Sequence, residues 1–277
     1  MKGLPVVKEH YAHREVFPNA PLALVAAEVR FAYEPRIKEE DIRDSFAKAV
    51  RSHLPILTNE FIQDLNNPQN QPTSEEPRLP QIRAMNQTST ISVSLNPNAI
   101  LFEAVEYKRF EDLMSLIKVG LQALDKLLPE LFINRIGLRY VDELRMPNLT
   151  NETRDWSQWV HDDLLAPLSA LPNSRGAATS GATVYEIEDS RTVVFRWGSL
   201  FGPTLLSSDM ALRRAPHEPG HIFILDIDAF NQLKEQIPFD GEWIIQQFEQ
   251  LHIPTGTIFN WATSENAKKF FRGEANV

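Results

Sequence analysis

The chain contains no cysteine, which excludes disulfides, thiolate zinc sites, iron–sulfur clusters and cysteine nucleophiles in one step. No apolar run approaches the roughly 18–20 residues that a membrane span needs. The opening Met1-Lys2-Gly3-Leu4-Pro5-Val6-Val7-Lys8 lacks the continuous apolar stretch of a secretory signal. A cytoplasmic protein is the expectation. Positive charge is also scarce: 28 Lys and Arg stand against 37 Asp and Glu, a formal net charge of -9. That balance argues against broad contact with nucleic acid, although a local basic strip survives it. Phosphate-cradling and nucleophile motifs are missing as well. There is no G-x-G-x-x-G after a strand, no P-loop and no G-x-S-x-G elbow.

What is present is globular. Hydrophobic residues make up 43% and charged residues 23% of 277, which is ordinary for a folded protein of one large domain or two small ones. Pro5, Pro18 and Pro21 keep residues 1–21 irregular. Over 22–31, Ala23, Val25, Ala27, Val29 and Phe31 alternate with a face that ends in Glu28 and Arg30, the pattern of a strand buried on one side. Ile42, Phe46, Ala49 and Val50 recur at helical spacing over 38–51. Residues 66–80 carry Pro68, Pro72, Pro77 and Pro80 among polar residues and read as an exposed loop. Three short strands are expected over 81–86, 89–95 and 100–107, then a helix over 110–128 closed by Pro129.

The pattern then restarts. A strand is expected over 132–144, with Ile136, Leu138 and Tyr140 opposite Arg135, Gly137 and Arg139. A helix over 155–168 turns Trp156, Trp159, Val160 and Leu164 inward, and strands follow at 182–188, 192–197, 204–212 and 221–227. The last stretch is helical through Trp243, Phe248, Leu251 and His252, with Pro254 as a kink or break. Strands in antiparallel runs between helices define an α+β fold. The expectation is two tandem strand–helix–antiparallel meander–helix units, 22–130 and 131–277. They would form curved antiparallel sheets backed by helices and pack as one body, leaving the opposite sheet face open.

Several clusters carry chemistry. His217-Glu218-Pro219-Gly220-His221 matches H-E-x-x-H as a string, but that zinc motif works only where a helix puts both histidines on one face. Pro and Gly in the middle break such a helix, so a turn entering a strand is the stronger reading. Asp226 and Asp228 form a D-x-D on one strand face, a spacing that holds Mg²⁺ when phosphates complete the shell. No third carboxylate or glycine-rich phosphate loop accompanies the pair, so the stronger reading makes Asp228 the N-cap of a following helix and Asp226 a solvated strand residue. Arg135 and Arg139 share a strand face, with Gly137 between them leaving room for a ligand to approach the backbone. If Glu28, Arg30 and Arg196 lie on neighbouring strands, the open face holds an arginine cluster suited to phosphate or carboxylate. Cross-strand ion pairs are the plainer account of the same residues. His252 reads as a half-buried histidine, and Trp156, Trp159, Trp243 and Trp261 as core.

Three stretches together resemble a sporadically distributed bacterial family of uncharacterised proteins. They are Asn19-Ala20-Pro21-Leu22 leading into the first strand, Asn134-Arg135-Ile136-Gly137-Leu138-Arg139-Tyr140-Val141-Asp142, and the closing Leu251-His252 helix that ends in Phe259-Asn260-Trp261-Ala262-Thr263-Ser264-Glu265-Asn266-Ala267. The resemblance implies a whole-chain fold unit and a patchy distribution suited to mobile or phage-defence islands. It transfers no catalytic residue.

The combined reading is a non-enzymatic cytoplasmic binding protein: a sensor, adaptor or regulatory subunit. Its ligand-binding candidates are Glu28, Arg30, Arg135, Arg139 and Arg196, and no catalytic residue, metal or cofactor is assigned. The expected partner is a protein, which includes a second copy in a homodimer, or an anionic small molecule. A metal-dependent phosphoester or nucleotide enzyme using Asp226 and Asp228 is the alternative, and nucleic-acid binding the second alternative.

Overall fold

The computed structural model describes residues 15–63, 78–106, 108–147, 149, 155–170, 178–188, 190–203 and 211–274. Its strands are β1 (Leu22–Phe31), β2 (Ile56–Gln63), β3 (Arg78–Met85), β4 (Ile91–Asn96), β5 (Ala99–Ala104), β6 (Phe132–Leu144), β7 (Ser180–Ile187), β8 (Arg191–Gly202) and β9 (Gly220–Pro238). The helices are α1 (Glu40–Val50), α2 (Phe110–Leu127), α3 (Gly241–Ala262) and α4 (Glu265–Arg272). The fold is α+β: one continuous antiparallel sheet in the order β2-β3-β4-β5-β1-β6-β9-β8-β7. Among the described residues, no helix is long and apolar enough to cross a membrane.

Strand alternation sorts the sheet into two faces. Val25, Ala27 and Val29 of β1 stand beside Phe102 and Ile100 of β5 and Ile136 and Leu138 of β6, all without solvent exposure. The helices cover this side and complete a single hydrophobic core with Phe46, Ile117, Leu121, Phe248 and Leu251. Helix α2 approaches the sheet at Gly120, where an added Cβ would lie 2.5 Å from the Phe102 ring. Gly120→Ala is expected to lower stability by about 1–3 kcal/mol, because overpacking against a fully buried ring exceeds the gain of about 1 kcal/mol in helix propensity. Urea denaturation measures it, and an unchanged or raised midpoint would show that the ring yields.

The strand expected over 132–144 is β6 residue for residue, and the opening strand, the first amphipathic helix and the helix from Phe110 lie where the periodicity puts them. Three expectations are corrected. The segment over 155–168 is not one helix: it holds 3₁₀ turns at Asp162–Leu164 and Ala166–Ser169. Val160 bridges to Thr263, and the His161 amide donates to the Ala262 carbonyl at 2.9 Å, so these backbone groups serve the α3–α4 junction instead of a helix. Trp156, Trp159, Val160 and Leu164 are nonetheless buried, as their spacing implies. Strand β9 does not stop at Ile227; it runs 19 residues, and Asp228 is paired to both β6 and β8 within it, so Asp228 caps no helix. Pro254 lies inside helix α3, so it does not break the helix there. Strand β2 was not foreseen, because its mixed Ile-Leu-Thr-Asn-Glu-Phe-Ile-Gln pattern is that of a sheet edge. Most of the loop expected over 66–80 lies outside the described residues, and Arg78, Leu79 and Pro80 belong to β3. All but the last two residues of the strand expected over 204–212 also lie outside them.

Candidate functional site

The face away from the helices is polar, and register places its side chains. Ala26, Arg139, Asp228 and Val194 are partners across β1, β6, β9 and β8; Glu28, Gly137, Phe230 and Thr192 form the next row. Arg30 lies opposite Arg135, and Asp226 opposite Arg196. All five ligand-binding candidates therefore share one face, with Asp226 and Asp228 among them.

They are paired there. The Arg139 guanidinium donates both arms of its fork to Asp226, at 2.7 and 2.8 Å, and Arg196 donates to the same carboxylate at 3.5 Å. Arg135 donates to Glu28 at 2.6 Å, stands 3.8 Å from Asp228, and lies 4.6 Å over the Phe230 ring. Arg30 donates to the same Glu28 carboxylate at 2.8 Å. Four guanidiniums thus face three carboxylates. Burial pushes the Asp228 carboxyl above the usual carboxylate range, with Arg135 and Arg139 pulling the other way. The two-armed bond to Asp226 holds the Arg139 charge more firmly still.

Exposure separates the candidates. The side chains of Arg30, Arg139 and Arg196 are 47%, 47% and 49% exposed, whereas Arg135 is 15% exposed. Gly137 leaves no open approach for a ligand. A Cβ there would fall 2.7 Å from Arg135 Nη1, so the missing side chain makes room for the guanidinium of Arg135 itself. Both Asp226 oxygens are engaged by arginine, so Asp226 is not a solvated strand residue. The face is not open along its whole width either: Gln81, Ser92, Ser94 and Asn96 on β3 and β4 are buried. The accessible part lies over β1, β6, β9 and β8.

His217 precedes β9 and His221 lies on it, with its ring 5.2 Å from Phe201, so the H-E-x-x-H residues share no helical face. His252 is half-buried as expected. Its Nδ1 lies 3.1 Å from the Tyr140 hydroxyl and its ring stacks on Phe110 at 3.9 Å. Trp156 and Trp159 are core, but Trp261 is 40% exposed and stacks on His161.

Two features escaped the sequence reading. Glu143, whose side chain has no solvent exposure, is held by Arg145 at 2.7 Å and by Arg214, tying the segment before β9 to the end of β6. Asp142 is buried on the helix side of β6, 6% exposed. A signal for it existed: Ile136, Leu138, Tyr140 and Asp142 are in one strand register, so a carboxyl occupies an apolar position. No family model and no curated protein matches the chain.

Proposed function

We propose that the protein is a non-enzymatic binding protein that receives an acidic group, a carboxylate or phosphate of a partner, on the sheet face over β1, β6, β9 and β8. The observation that carries this is the set of three half-exposed guanidiniums, Arg30, Arg139 and Arg196, anchored on one rigid surface by carboxylates behind them. Anchoring removes the rotamer freedom an arginine otherwise loses on binding, so an incoming anion meets forks already aimed. The spare positive charge of four guanidiniums against three carboxylates favours anions over cations. Metal-assisted phosphoester chemistry at Asp226 and Asp228 would first have to displace Arg139 from a two-armed bond. The cysteine-free composition supports a cytoplasmic setting for such a sensor, adaptor or regulatory subunit.

The halves are read as tandem units of one plan. Outward from the centre, the sheet runs β1-β5-β4-β3-β2 on one side and β6-β9-β8-β7 on the other. In both, the strand paired next to the opening strand comes last in the meander and is followed by a long helix, α2 or α3.

The test pairs binding with stability. Titration with inorganic pyrophosphate and with a polyglutamate peptide is expected to show saturable binding that Arg139→Ala weakens by about 10- to 100-fold, as loss of a charge-assisted contact implies. The melting temperature should change by only about 2–4 °C, because a half-exposed pair contributes about 0–1 kcal/mol. A large fall in melting temperature with binding unchanged would make these arginines purely structural and end the proposal.

A further inference from the structure

We infer that the cavity walled by the start of β1, the end of β6 and helices α2 and α3 is a second site, built for a small organic cation: an amine carried on one ring or a short apolar body. The cavity measures about 190 Å³. An apolar cavity of about 150 Å³ takes a benzene ring, so one ring with a small head group fits. Phe17, Phe110, Tyr140 and Phe259 line it, one each from the N-terminal segment, α2, β6 and α3. Such walls attract cations through the negative ring faces.

Asp142 decides the sign of the ligand. It lines this cavity while 6% exposed, and no described residue donates a hydrogen bond to its carboxyl. A buried carboxyl without a donor is costly and must hold a proton or meet a cation. Among the described residues, the charge that lowers its proton affinity is Arg214, which lies on the other face of the sheet and is bound to Glu143. Burial pushes the Asp142 carboxyl up to about 7, so near neutral pH a protonated amine can replace its proton at little expense. Lys108 and Arg109 also line the cavity and would favour an anion, which makes the carboxylate analogue the decisive competitor.

The experiment is calorimetric titration of the full chain with benzylamine, benzyl alcohol and benzoate at about pH 7.5. Benzylamine is expected to bind about tenfold or more tighter than benzyl alcohol, and Asp142→Asn to remove that advantage while leaving benzyl alcohol within about threefold. A melting curve for the variant confirms that it is folded. Absence of saturable benzylamine binding up to about 10 mM, equal binding by Asp142→Asn, or tighter binding of benzoate would each overturn the inference.

Discussion

Glu143→Ala is expected to lower the melting temperature by about 6–12 °C, the equivalent of roughly 3–5 kcal/mol for breaking a buried ion pair from one side. The carboxylate sits without solvent exposure between Arg145 and Arg214, themselves only 20% and 17% exposed. Removing it leaves two nearly buried guanidiniums facing each other. Arg145 also reaches the carbonyls of Pro203 and Glu218, and the Arg213 amide donates to the Ser89 carbonyl at 2.7 Å. The carboxylate therefore fixes both the β8 exit and the β9 entry at one end of the polar face. Burial raises its proton affinity, but hydrogen bonds from Arg214 and Arg145 outweigh that and hold the carboxyl below its ordinary value of 4.5. The stabilisation is then present above pH 4.5 and lost as pH falls through the depressed folded value. Melting curves of wild type and variant should differ most near neutral pH and converge in acid. A difference under about 2 °C at pH 7 would show that the arginines find other partners.

Asp142→Asn is expected to stabilise the protein, by about 2–4 kcal/mol above pH 7 and far less near pH 4. In the unfolded chain this carboxyl ionises near 3.8, whereas burial keeps it protonated in the folded chain up to about 7. Across that interval the folded state holds a proton that the unfolded state has released, so stability falls with each rise in pH and the loss is complete above about 7. Asparagine carries no such penalty. Denaturant melts of both proteins from pH 4 to pH 8 isolate the effect, since every other titrating group is common to the pair. A stability difference independent of pH would mean that Asp142 already has its counter-charge.

The legible part of the fold was periodicity. Period-two alternation over 22–31 and 132–144 marked the two central strands and their buried faces, because each strand buries one side against a helix layer and leaves the other polar. The same alternation placed Arg135 and Arg139 on one face, and the placement holds. It also ran on past Ile227, through Ala229 and Asn231 on one side and Asp228 and Phe230 on the other. The sequence reading favours a helix after Asp228; pairing with both β6 and β8 as far as Asn231, and with β6 alone beyond it, carries β9 to Pro238. The turns over 155–168 show the same limit: their apolar spacing was right, and their backbone conformation followed from a distant bridge to Thr263.

The sequence by itself determined the element types of the centre, the burial of one face and the absence of thiol chemistry, since these depend on residue type and local period. Only the tertiary structure decided what each charge does. Whether an arginine is spare or engaged depends on which strand lies alongside, and strand order joins residues more than a hundred positions apart, as in Arg135 with Glu28. That order brought Asp226 to Arg139 and Arg196, filled the space over Gly137 with Arg135, and left Arg30, Arg139 and Arg196 half-exposed. The same packing buried Asp142 in a cavity lined by aromatic residues, with no hydrogen-bond donor to it among the described residues. Electrostatic energy depends on distance and burial, and neither is a property of the chain until it folds.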